Sequence, residues 1–109
     1  MKHVHYNEVT AELVPDCPGV HVRWLVGPHD DAPHFHMRRF EIDPGASTPH
    51  HTHPHEHEIY VLDGEGTVFG NGKESSMRAG DCFFVPGGET HHFKAGARPV
   101  AILCMVPKT

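Results

Sequence analysis

Apolar residues in this chain alternate with polar ones far more often than they recur three and four apart. Val20–Val26 (VHVRWLV) is rich in β-branched and aromatic residues and is closed by Gly27-Pro28, which predicts a strand. Over 34–42, His34, His36, Arg38, Phe40 and Ile42 share one face and Phe35, Met37, Arg39 and Glu41 the other, until Asp43-Pro44-Gly45 ends the run. Segments 58–62 and 66–69 flank Asp63-Gly64-Glu65, which predicts a hairpin, and 70–73 makes another tight turn. Cys82–Val85 stops at Pro86-Gly87-Gly88, 90–94 resumes a strand, and 99–106 is the last and most apolar. In that strand either Ile102, Cys104 and Val106 or Ala101, Leu103 and Met105 face inward. Ten prolines and eleven glycines punctuate the chain, and no apolar helical period lasts two turns, so the fold class is all-β. Many short strands in so small a chain predict a sandwich or a closed barrel.

Length changes this picture only by limiting it: 109 residues can bury one core, so 1–109 is expected to be a single domain. Residues 1–19 end in a turn through Pro15, Cys17, Pro18 and Gly19 and are expected to form an N-terminal arm or edge strand, with the barrel over 20–107. The formal charge is −5 with histidine neutral, and the nine Lys and Arg are scattered, so neither a nucleic-acid footprint nor a polybasic membrane segment is expected. Cys17, Cys82 and Cys104 are odd in number and lack CxxC spacing, which argues against a disulfide framework or zinc ribbon and for a reducing compartment. The opening MKHVHYNEVT has no apolar signal core and no run is long enough to span a bilayer, so a cytoplasmic location is expected.

The chemistry is concentrated in histidine. Of thirteen, five (His50, His51, His53, His55 and His57) fall between Gly45 and Gly66. In a strand, His51 and His53 would project from one face and clamp a metal; His57 follows after Pro54, on the face it shares with Ile59 and Val61. Three or four neutral imidazoles suit Mn, Fe, Co, Ni, Cu or Zn, whereas Mg and Ca want oxygen ligands. An octahedral ion with four protein ligands keeps two positions open for water, substrate or dioxygen.

Two stretches carry a family resemblance. Gly45-x5-His51-x-His53-x3-His57-x6-Gly64 and Gly80-x5-Pro86-x-Gly88-x2-His91 are spaced as in the two signature motifs of the cupin superfamily. The resemblance extends over about residues 25–108 and implies a small antiparallel β-barrel of jelly-roll type with the metal inside. The ligands it implies are His51, His53, His57 and His91. Two positions depart from the pattern: His57 stands where glutamate is usual, with Glu58 displaced by one, and Ala95 replaces an expected asparagine. The first departure resembles the small four-histidine cupins that bind manganese, in which H-x-H-P-x-E-H-E recurs, here residues 51–58. Mn or Fe is therefore the expected ion, with Ni, Cu, Co and Zn as alternatives.

Spacing and strand parity favour His57 over Glu58 and His91 over His92; His50 and His55 are expected in solvated loop. Phe93 follows His91 inward and, with Ile59, Val61, Ile102 and Cys104, is expected to line a cavity. Cys104 is read either as a buried inert thiol or, beside the metal, as a redox-active thiol or an occasional ligand. Arg38 or Arg39 could reach an anionic substrate. The leading expectation is a metal-dependent oxidoreductase, dioxygenase-like, acting on a small organic substrate. A metal-dependent isomerase or lyase is the first alternative, weakened because parity turns Tyr60, Glu58 and His92 away from the ligand faces. A non-catalytic module that binds or senses a small ligand is the second. The superfamily also implies a homodimer, to which residues 1–14 could add an edge strand.

Overall fold

In the computed structural model, which describes residues 1–108, the architecture is all-β and antiparallel. The strands are β1 (Glu12–Leu13), β2 (Val20–Val26), β3 (Phe35–Ile42), β4 (His57–Asp63), β5 (Glu65–Gly70), β6 (Lys73–Arg78), β7 (Cys82–Val85), β8 (His91–Ala95) and β9 (Val100–Pro107). They form a six-stranded sheet in the order β1-β2-β3-β9-β4-β7 and a three-stranded sheet in the order β6-β5-β8. Short 3-10 turns at Tyr6–Glu8 and Pro28–Asp30 are the helical elements among the described residues. No helix is long and apolar enough to cross a membrane.

The core lies between the two sheets. In β9, Val100, Ile102, Cys104 and Val106 point inward and are buried, which settles the parity of that strand; Leu103 and Met105 face out, half-buried. Ile42, Val61 and Met77 join them as fully buried side chains. Burying such a side chain removes roughly 1.5–3 kcal/mol worth of apolar surface from water, and this is what makes the two sheets close on each other.

One expectation about the connections is corrected. Segments 58–62 and 66–69 do not pair as a hairpin: β4 belongs to the larger sheet and β5 to the smaller. Asp63-Gly64 is instead the corner at which the chain changes sheets. Gly64 sits there with φ +87°, and a Cβ on it would come within 2.3 Å of the Pro99 carbonyl, so the corner needs glycine. The hairpin is β5–β6, closed by Asn71 (φ +51°) and Gly72 (φ +75°), the left-handed pair that a two-residue hairpin turn requires. Strand β6 (KESSMR) went unforeseen because Met77 is its only buried residue and its surface carries no alternation.

Candidate functional site

The loop joining β3 to β4 is not a regular strand, as the pairing of His51 with His53 assumed, but it runs beside β8 and is tied to it. The Thr48 amide donates to the Phe93 carbonyl (2.9 Å), and the Phe93 amide donates to Thr48 Oγ1 (2.8 Å). A β-bridge then sets His51 opposite His91, the His91 amide donating to the His51 carbonyl at 3.1 Å. Two residues on, the Gly88 amide donates to the His53 carbonyl (2.8 Å). A Cβ at the neighbouring Gly87 would lie 2.2 Å from the Pro54 carbonyl, so the Pro86-Gly87-Gly88 turn can press against the histidine loop only because position 87 is glycine. His57 opens β4 and His91 opens β8.

These constraints bring four rings together. His53 lies 4.2 Å from His57 and 5.1 Å from His91, and His51 lies 5.2 Å from His53 and 5.4 Å from His91, centroid to centroid. His57 and His91 are 5.3 Å apart, and Nε2 of His53 is in direct contact with Nε2 of His57. The ligating atoms of His51, His53 and His91 lie within 4.8 Å of one another, as do those of His53, His55 and His57. His55 thus departs from its expected solvated place: it stacks on His53 at 4.1 Å and 6°. His50 and His92 form a separate outer pair, Nδ1 to Nδ1 at 2.6 Å, with His92 stacked on Phe69.

The donor set suits a metal ion. His53 Nδ1 lies 2.9 Å from the His55 carbonyl and His91 Nδ1 lies 2.8 Å from the Glu89 carbonyl. A carbonyl can only accept, so both Nδ1 atoms carry the proton and both Nε2 lone pairs are left for the cluster. This is the arrangement in which outer partners orient metal-binding imidazoles. His57 Nδ1 faces Cys104 Sγ at 2.9 Å, a partner that can accept from it when Nε2 is free to ligate. Burial, with help from His53 and Arg38, lowers the His57 pKa to about 3, and burial also lowers those of His51 and His53. Neutral imidazole is the ligating form, so the site is poised to take a cation. Burial pushes the Cys104 thiol up despite the nearby Arg38 guanidinium. The cluster can therefore hold a metal ion, while Cys104 acts as a buried neutral thiol packed behind His57.

The histidines open onto a cavity of about 540 Å³. Its walls are Val22, Trp24, Phe40, Ile59, Phe93 and Ile102, with Cys104 and Arg38 beside the cluster. Val61, expected with this group, is fully buried in the core and does not reach the cavity. Parity separates the two arginines as well: Arg38 lines the cavity, whereas Arg39 turns outward to Glu41 (2.9 Å). Tyr60, Glu58 and His92 do not line it, and Glu58 instead contacts Glu56, which raises its pKa. Trp24 and Phe40 were not singled out as lining residues, although the parity that places Arg38 inward also places Phe40 inward.

A two-sheet β-barrel with an apolar cavity ending in convergent histidines defines a small-ligand barrel able to hold a metal ion. Residues 38–106 match the family described as Cupin domain, and the chain belongs to that family. It is 34% identical over 96 residues to the oxalate-binding protein of Thermotoga maritima, covering 81% of this chain and 78% of the relative. The structure of the polyketide cyclase RemF from Streptomyces resistomycificus is 37% identical and superposes with a TM-score of 0.91, over 98% of this chain and 79% of that one. A predicted oxalate decarboxylase from Thermotoga maritima superposes with a TM-score of 0.85 at 29% identity, over 99% of this chain and all (100%) of that one.

Proposed function

We propose that the protein is a metal-dependent enzyme that activates a carbonyl of an aromatic-sized, polyoxygenated substrate for ring closure or water loss, chemistry of the lyase class. His51, His53, His57 and His91 would hold a divalent first-row ion, with Mn or Fe the expected occupants; bound there, it would supply Lewis acidity to a substrate oxygen. The observation that carries this reading is the cavity, whose size and aliphatic and aromatic walls suit a planar apolar body and far exceed a dianion as small as oxalate. Trp24, Phe40 and Phe93 would orient that body and exclude water from the reacting atoms. In an aldol closure a carbon–carbon bond forms, water leaves, and neither oxidant nor reductant is needed. The 37% identity to a polyketide cyclase supports the same choice.

The oxygen-using oxidoreductase expected from the sequence is the competing reading. Four neutral imidazoles contribute no negative charge to offset a trivalent ion, which favours polarisation over oxidation. The experiment is turnover of a linear poly-β-ketone under nitrogen and in air, with an oxygen electrode and metal analysis of the same sample. Equal rates, ring-closed product and no oxygen uptake are expected, lost with the metal and regained on its return. One O2 consumed per product would replace this reading by the oxidative one, and ligand-induced stabilisation without turnover would replace it by a binding module.

A further inference from the structure

Among the described residues Arg38 is the one guanidinium lining the cavity, and no carboxylate answers it. Glu12, the only carboxylate along the lining, is exposed and makes no ion pair with it. The arginine is nevertheless fixed. Its Nη2 lies 3.2 Å from Cys104 Sγ and 3.4 Å from His57 Nδ1, and its Cζ sits 4.9 Å from the Phe40 ring and 5.5 Å from that of Trp24. Among the described residues Nε is buried without a partner, while Nη1 makes no hydrogen bond and is not closed off as Nε is. A half-buried cation set among the Trp24 and Phe40 rings, beside the His57 ring and the Cys104 thiol, lacks a carboxylate counter-charge, and a planar N–H fork is built to pair one.

Building on the proposed function, we infer that Arg38 is the anion anchor of the cavity and that the substrate is an aromatic-sized carboxylate, its anion on Arg38 and its apolar body against Trp24, Phe40 and Phe93. The metal-binding histidines lie one ring away, so a substrate held by Arg38 presents its neighbouring oxygens to the cluster.

The test needs no turnover. Binding of 2-naphthoate and of its neutral isostere 2-naphthamide is measured by calorimetry in protein as purified, with metal content determined for each sample. Any preference of the metal itself for the acid is common to wild type and variants and cancels. Arg38→Gln should cut the acid-over-amide preference at least tenfold while leaving amide affinity within a few-fold, and Arg38→Lys should keep most of the preference. An unchanged preference in Arg38→Gln, or equal loss of acid and amide, overturns the inference. If the circular dichroism of Arg38→Gln shows misfolding, Arg38→Lys decides: retained preference supports the anchor and equal loss refutes it. Because catalysis is not read, failure of carbonyl chemistry and failure of the anchor are distinguishable.

Discussion

Acidification should destabilise the metal-free protein through His57, and the sign follows from the burial. The unfolded histidine takes up its proton near the ordinary value of 6.5, whereas the native one, 7% exposed, resists until about 3. A depressed native pKa contributes stability that is fully present above 6.5 and is lost as pH falls through that window. Each unit costs about 1.4 kcal/mol, so from pH 6.5 to 5 the loss is about 2 kcal/mol from this residue. For a domain of this size that lowers Tm by about 8 °C. His51 and His53, also held below the ordinary value, push the same way. The assay is urea unfolding of chelator-treated protein at several pH values, followed by the fluorescence of Trp24, the single tryptophan. His57→Gln should flatten the pH dependence of stability by nearly one proton's worth, whatever its effect at pH 7.5. Parallel slopes in wild type and variant would refute the reasoning.

Three further outcomes are expected. His57→Ala should lose most of its bound metal by elemental analysis while Glu58→Ala keeps it; the reverse would assign the third ligand to the carboxylate. Gly87→Ala drives a Cβ against the Pro54 carbonyl and should loosen the His53 loop, with about 1–3 kcal/mol lost in urea melts and reduced metal content in folded protein. The homodimer expected from the sequence would cover the outer face of the larger sheet, where Tyr60 and Phe84 are 47% and 63% exposed, so Phe84→Asp should convert a dimer to a monomer in light scattering. A wild-type monomer at micromolar concentration would remove that expectation.

What the chain disclosed about its fold depended on how many faces each strand buries. Strand β2 and the last strand carry dense apolar residues and are visible from composition alone, and β3 shows its two faces because Phe40 and Ile42 alternate with Arg39 and Glu41. Strand β6 buries one residue and carries no strand signal in the sequence. The corner at Gly64 was misread for a different reason. A turn signal says that the chain reverses or bends, not which neighbour the next strand pairs with, and here β5 finds β6 and β8 rather than β4.

The site was legible where the histidines begin strands and obscure where they lie in loop. His57 and His91 open β4 and β8, so spacing and parity turned their side chains the right way, and the same parity separated Arg38 from Arg39. His51, His53 and His55 sit on backbone with no period of its own, whose path is set by bonds to Phe93, His91 and Gly88 far along the chain. No local rule could have placed His55 against His53. Charge balance was hidden for the same reason. Residue counts give a net of −5, yet the cavity gathers Arg38 and a cluster of histidines while Glu58 turns away, so a chain that is acidic overall carries a cavity in which Arg38 has no carboxylate partner among the described residues. In the inferred mode of binding the ligand supplies that negative charge, which is why the acid-over-amide comparison bears on the substrate class more directly than any property of the whole chain.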